Sequence, residues 1–397
     1  GNFAGDELTT GSDNTAIGYL SLSAATTSSY NVGVGNSTLR NNTTGANNTA
    51  LGFCALCTNT TASNNTALGV EALKENTTGT SNVALGAYAM CLNTTAENNT
   101  AVGVAALLVN TTGAQNVAIG RDAGNDITTG VYNTIVGGLA GDALTSADYN
   151  TAIGYGALSA DTLGTRSVAV GYHSLVSQNR TTASQANNVG VGFEAGVNIS
   201  TGTQNTLIGS ESGAGMTTAA NCVIVGFSSS ASAFNGNGQI VIGHDINGGG
   251  NNTARLGTTA GGTATLSLDG SDTSWAAASD ERLKKDIADS TVGLSFINAL
   301  RPVTFKWNAK NAIADSLPQY DADSSDPVYG EGKAHHGFVA QEVKTVIDAN
   351  SDVVDGHNIW VEDPDGTQQV APSALIPMLV KAIQELSAEL DKLKSGG

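Results

Sequence analysis

The sequence predicts a mostly β protein: a parallel β solenoid of 17-residue repeats over residues 1–243, a connector over 244–278, and a small α+β domain over 279–397. Three observations carry this. Glycine recurs at 1, 18, 35, 52, 69, 86, 103, 120, 137, 154 and 171, then at 192, 209, 226 and 243, a step of 17 broken once by a step of 21. The residue before each of the fourteen later glycines is Ile, Val or Leu. Composition then changes: only 6 of the 17 Lys+Arg fall in residues 1–270, and the remainder crowd into the tail. A fixed period of this length marks a stack of repeats, each touching only its neighbours.

Within a repeat, Asn-Thr/Val-small-aliphatic-Gly, as in Asn14-Thr15-Ala16-Ile17-Gly18, alternates with period two and reads as a short strand. The alternation is expected to turn the aliphatics, Ile17, Leu51, Ile119 and Ile153 among them, into a narrow core. The alanines would then face outward, where another layer or chain can approach. Asparagine opens eleven of the fourteen strands and is expected to form amide ladders along the stack. After each glycine come a small residue, then Leu or Gly, then a polar turn such as Asn76-Thr77-Thr78-Gly79. The 21-residue step is a four-residue insertion that should emerge as a longer turn without shifting the strands after it. Tyr19, Phe53, Tyr155, Tyr172, Phe193 and Phe227 follow anchor glycines and can either stack on the next repeat or hold sugars. Triplets such as Asn59-Thr60-Thr61 read as by-products of the repeat rather than glycosylation sites. The pattern resembles the head repeats of YadA-type trimeric adhesins and repeat regions of phage tail fibres.

Charged residues make up 13% of the 397, aromatics 5%, and there are 49 glycines, so large side chains cannot fill most of this molecule. A net charge of −18 argues against binding nucleic acid or an anionic membrane, and no window is long and apolar enough for membrane insertion. Four cysteines are too few for a disulfide scaffold, and Cys57 and Cys91, two repeats apart, lie beyond bridging distance. Cys54 and Cys57 form a CxxC without a nearby histidine, so neither a metal nor another cofactor is expected.

The tail opens with Ser279-Asp280-Glu281-Arg282-Leu283-Lys284-Lys285-Asp286-Ile287. Serine with a lysine five residues on is a nucleophile–base pair, provided that burial or neighbouring cations such as Arg282 and Lys285 lower the lysine pKa. Further motifs follow in order: Leu294 to Trp307, Gly337-Phe338-Val339-Ala340-Gln341-Glu342-Val343, and Leu375 to Leu386. Together they resemble the peptidase S74 family, the intramolecular chaperone domains at the C-terminus of phage tailspikes and tail fibres. The resemblance implies a domain that trimerises the upstream fibre and then cuts itself off between Ala278 and Ser279. Its catalytic residues would be Ser279 and Lys284, with Asp280 and His336 in support. No further ligand of suitable spacing makes a metal site of His335-His336, and Asp321, Asp323 and Asp326 lack the glycine and distal glutamate of a calcium loop. A helix is expected over Val292–Leu300, a strand over Val303–Trp307 and a surface loop over Asp315–Lys333. Ile376, Leu379, Ile383, Leu386, Leu390 and Leu393 step by three and four as a coiled-coil seam. Ile at a and Leu at d favour two strands; the resemblance implies three.

The function expected from these readings is a virion tail fibre, a homotrimer assembled in the host cytoplasm that acts at the host cell surface. Its partners would be a glycan or protein receptor and other virion tail proteins, and its enzyme activity a single turnover on itself. A bacterial trimeric surface adhesin is an alternative, as is a glycan-degrading tailspike, although Glu71, Glu194 and Glu211 form no recurrent carboxylate pair.

Overall fold

The computed structural model describes residues 1–260, 262–268, 276–277, 285, 287–315, 317, 319–329, 332–350, 352–353, 359–362 and 367–395. The chain divides into two units, Gly1–Ser279 and Asp280–Gly397. The first is a β solenoid of about fourteen turns. Thirteen strands of three residues, from Thr15–Ile17 to Val223–Val225, and the five-residue strand Ile240–His244 pair in parallel along one sheet. Register advances by one repeat per strand, Thr100↔Val117 and Ala101↔Ala118 for example. The insertion leaves this register intact, because Val168 pairs with Val189 and Ala169 with Gly190. The extra residues form a longer turn, held by a two-residue parallel pairing of Gly164–Thr165 with Ser184–Gln185 and by Arg180, which donates to Ser184 Oγ and Thr201 O. Beyond Gly243 the sheet adds a parallel strand, Thr253–Thr258, then runs antiparallel through Gly262–Ser267 and Ala276–Ala277.

The structure reverses the expected facing of these strands. The aliphatic before the glycine points outward: Ile17, Leu51, Ile119 and Ile153 are 58%, 43%, 40% and 39% exposed. The central alanines, such as Ala50, Ala67, Ala84 and Ala101, are completely buried. The reason is volume. Where the fourth residue after the glycine is leucine, as at Leu56 or Leu107, it fills the interior and leaves room for only a methyl group at the strand centre; where it is Gly141 or Gly213, the strand centre is the buried Ile135 or Leu207. These leucines hold a left-handed backbone, φ 53° at Leu56 and 51° at Leu107. That conformation costs about 1–2 kcal/mol, which full burial of a leucine, about 2 kcal/mol, offsets. The anchor glycines have a different constraint. Gly120 has φ 138°, and a Cβ there would lie 2.5 Å from the carbonyl oxygen of Gly137, so any side chain would push successive turns apart.

In several turns two positions trade core volume. Where the fourth residue is Leu39, Leu73 or Leu107, the seventh is Asn42, Asn76 or Asn110; where the fourth is Gly124, Gly141 or Gly196, the seventh is Ile127, Leu144 or Ile199. A Cβ on Gly124 would sit 3.0 Å from Ile127 Cδ1, the atom that occupies the vacated space.

Polar ladders complete the interior. In the strand-opening column each amide oxygen accepts the backbone N–H of the next asparagine, Asn65 N to Asn48 Oδ1 at 3.0 Å, while Nδ2 donates to a carbonyl of the next turn, Asn48 to Ala62 O at 2.8 Å. Serine interrupts this column at 167, and the buried Gln178 restores it by donating to Ser167 Oγ and accepting from Asn188 Nδ2 at 2.8 Å. A second ladder runs Asn42, Asn59, Asn76, Asn93, Asn110. It ends where Ile127 takes the position, leaving Asn110 Oδ1 buried without a partner. Asn59 lies fully inside this ladder, so the side-chain amide of its Asn-x-Thr triplet is not presented to solvent. Threonine hydroxyls form a third column, Thr60 Oγ1 to Thr77 O at 3.1 Å and Thr77 Oγ1 to Thr94 O at 3.0 Å.

Cys54 and Cys57 are joined in a disulfide across one turn, with Cα atoms 4.9 Å apart, a pairing the cysteine count did not suggest. In the next repeat the same two positions hold the Glu71–Lys74 ion pair at 3.4 Å. Several of the aromatic side chains that follow anchor glycines stack on one another: Tyr155 on Tyr172, and Tyr172 on Phe193, with centroids 5.8 and 5.3 Å apart and planes within 13°. Stacking covers the faces between these rings, and the three side chains remain 43–49% exposed.

The second unit is α+β. Helix α1 (Leu294–Ala299) leads to the strand Val303–Phe305, which pairs antiparallel with His335–Gly337. Helix α2 (Ala340–Asp348) and the hairpin Trp360–Glu362 with Gln368–Val370 follow. Pro372–Leu375 forms a 3-10 turn that feeds helix α3 (Ile376–Ser395), 20 residues long. Phe296, Val343, Ile347, Val353, Ile359, Leu375 and Met378 build its core. Among the described residues no helix is long and apolar enough to cross a membrane.

Candidate functional site

Four of the five residues expected at the cleavage site, Ala278, Ser279, Asp280 and Lys284, lie outside the described residues. The sequence around them is flanked on one side by Ala276–Ala277, the last strand of the solenoid sheet, which pairs with Ala264 and Thr265. On the other side Lys285 is exposed. The fifth residue, His336, sits on the strand His335–Gly337 with its ring exposed and Nδ1 3.3 Å from Thr304 Oγ1. Strand alternation turns its neighbour the opposite way. His335 lies against Phe305 and Trp307, and its Nε2 is buried without a hydrogen-bond partner. Among the described residues no group of His, Cys, Asp and Glu could hold a metal ion.

What the second unit does present is a scaffold locked at few points. Glu385 on α3 accepts the backbone N–H of Leu294 at 2.8 Å, supplying the N-terminus of α1 with the carboxylate that its own sequence lacks. Arg301 forms a two-pronged pair with Glu342 on α2, Nε to Oε2 at 2.9 Å. The hydrogen bonds of that pair hold the Glu342 carboxyl below its ordinary pKa and raise that of the Arg301 guanidinium. Both groups are exposed, so the pair fixes geometry more than it stabilises.

Helix α3 has two apolar faces. Met378 and Ala382 are buried against the unit's own core. The seam predicted from the spacing, Ile376, Leu379, Ile383, Leu386, Leu390 and Leu393, is 42–76% exposed. Leu379 also borders an apolar groove of about 260 Å³ lined by Ile297, Leu300, Pro302 and Phe338. The solenoid has an uncovered apolar face of its own, the column of aliphatics that ends its strands. This face and the α3 seam are each visible in the sequence as a periodicity, and the solenoid column faces the opposite way from that expected.

Comparison with curated proteins and with solved structures gave no match. One family model does match, over a segment that begins at the expected nucleophile: residues 279–352 are similar to Peptidase_S74, the chaperone of endosialidase.

Proposed function

We propose that the chain is a trimeric fibre of the phage tail-fibre or tailspike kind, whose C-terminal segment directs assembly and then severs itself between Ala278 and Ser279. The observation that carries this reading is the outward aliphatic column. From Ile17 to Ile242 it repeats on fourteen successive strands. At about 4.8 Å per strand it is roughly 62 Å long, and with the adjoining Thr/Val column about 10 Å wide, on the order of 600 Å². That is the upper end of what lone soluble proteins leave uncovered and approaches the roughly 800 Å² per partner of a standard interface. Copies of the same solenoid, aligned in parallel, cover it with the same column, and the exposed seam of α3 calls for the same partners. The family match supplies the chaperone and peptidase parts of the reading.

In the cleavage step, Ser279 Oγ attacks the carbonyl carbon of Ala278 as Lys284 Nζ takes the hydroxyl proton. The C–N bond then breaks, and the proton passes to the amine of Ser279. Water releases the Ala278 carboxylate from the resulting ester. Five residues along an ideal helix turn through a net 140° or so, which keeps the two side chains off one helix face. The pair therefore forms at a turn or strand-to-helix transition, or between chains, and in the last case cleavage waits for assembly. The fibre acts at a host cell surface, on a glycan or protein receptor, alongside other tail proteins.

Removal of residues 279–397 before folding tests the chaperone role. Expression of residues 1–278 alone should give aggregate or monomer, with the trimer yield reduced about tenfold or more relative to the full chain by size-exclusion chromatography with light scattering. A soluble trimer in normal yield from the truncated chain would refute it.

A further inference from the structure

The first residue after each anchor glycine stands where the chain leaves the sheet, and on five successive turns this position holds Arg121, Gly138, Tyr155, Tyr172 and Phe193. Tyr172 covers one face of Tyr155, and His173, with its ring 3.9 Å from that of Tyr172 and 5.8 Å from that of Tyr155, packs beside both and fixes them. At Gly138 the column has no side chain. Of the fourteen residues from Tyr19 to His244 at this position, Gly138 is the one glycine. Neither backbone nor crowding demands it. Its φ lies outside the left-handed region, and apart from its chain neighbours a Cβ there would meet nothing nearer than Tyr155 Cδ2 at 3.5 Å, an ordinary contact. The anchor Gly137 beside it is the opposite case, with φ 137° and a Cβ that would lie 2.4 Å from the carbonyl oxygen of Gly154. Gly138 therefore leaves open space, one side chain wide, between Arg121 and the ring of Tyr155. These two residues are two turns apart, about 9.6 Å along the stack, so a ring inserted midway sits about 4.8 Å from each. That is close to the 5.8 and 5.3 Å between the rings already stacked.

We propose that this gap binds one pyranose ring of a neutral cell-surface polysaccharide, its C–H face on Tyr155 and its hydroxyls on Arg121 and Asp122. The inference rests on the receptor-binding reading above and adds the ligand class and the place. Tyr155 is 49% exposed, and the face not covered by Tyr172 is turned to the gap. The C–H groups on one side of a sugar ring make an apolar surface about the size of that face, and covering both removes apolar area from water. The opposite wall is polar. Arg121 Nε lies 3.3 Å from Asp122 Oδ2, with the two side chains 68% and 28% exposed, so donors and an acceptor stand side by side. Adjacent sugar hydroxyls, each able to donate and to accept, complement such a pair. Asp122 also offsets the charge of Arg121, and residues 1–270 carry 15 Asp+Glu against 6 Lys+Arg, so an anionic polymer is repelled. One such gap binds weakly, on the order of millimolar, and copies of it on one fibre raise the apparent affinity.

The test presents the full-length chain carrying Ser279→Ala, so that the tail stays attached, to an array of oligosaccharides of glucose, galactose, mannose and N-acetylglucosamine. Oligogalacturonate and polysialate serve as acidic probes. The parent should bind at least one neutral probe. Gly138→Tyr, which fills the gap by continuing the stack, should reduce that binding about tenfold or more, as should Tyr155→Ala and Arg121→Ala, which remove its walls. Phe53→Ala, which removes an exposed ring of the same column far from the gap, should leave binding unchanged. A parent that binds no neutral probe, or only the acidic ones, overturns the proposal, as do gap variants that bind like the parent. Light scattering of the same samples separates this from failure of the underlying reading. A monomeric parent refutes the trimeric fibre, whereas a trimeric parent whose binding ignores the gap refutes this site alone.

Discussion

Denaturing electrophoresis of the purified parent protein should show two fragments, of 278 and 119 residues, whereas Ser279→Ala and Lys284→Ala should each leave one intact 39.9 kDa chain. The expected effect is all or none because the proposed reaction is a single turnover: without the Ser279 hydroxyl no ester forms. Lysine is the more exacting half of the prediction. Its ammonium must lose a proton near neutral pH, so cleavage should slow as pH falls and Nζ holds its proton. Lys284→Arg, which keeps the charge and cannot serve as a base, should be as inactive as Lys284→Ala. Cleavage of Lys284→Ala at the parental rate would remove lysine from the mechanism and leave Ser279 to be activated by another group.

The second large effect belongs to the solenoid. Ile119→Glu combined with Ile153→Glu should abolish shaft assembly while leaving each turn folded. Both side chains are about 40% exposed in the single chain, and surface substitutions of that kind usually change folding stability by no more than about 0.5 kcal/mol. In the assembled fibre the same carboxylates would be buried without partners, at about 3 kcal/mol or more per copy, which is over a hundredfold in association. Circular dichroism should retain the β signal, and light scattering should lose the trimer. A variant that assembles normally would show that the aliphatic column is not where the copies meet.

That column also marks the limit of what could be read from the residues. Glycine spacing announced the solenoid, its register and the harmless insertion, because a missing Cβ at a crowded left-handed position leaves an unmistakable period. Period-two alternation announced strands but not which side faces in. The larger residue is ordinarily the buried one, and here it is not, because Leu56, Leu107 and their counterparts already occupy the interior from the opposite wall on a left-handed backbone that leucine rarely adopts. The exchange of Leu107 and Asn110 for Gly124 and Ile127 lay in the sequence as a correlation between the fourth and seventh positions, legible only once both were known to share one cavity. Gln178 stands seventh after Gly171, in the column of Asn42 and Asn110; its second role follows from Ser167 interrupting the asparagine column on the strand above the turn. At the start of the tail the order of motifs pointed to a family resemblance, and the match over residues 279–352 agrees with it. Chemistry between Ser279 and Lys284 depends on a spacing in space that five residues of sequence leave open.

We propose that this solenoid is one third of a fibre, which native mass spectrometry of the full-length Ser279→Ala protein would reveal. Three copies of the 39.9 kDa chain, about 120 kDa, should appear as the dominant species, and should persist at high salt because the contact is apolar. A dominant 39.9 kDa monomer with its aliphatic column open to water would rule out the trimeric fibre.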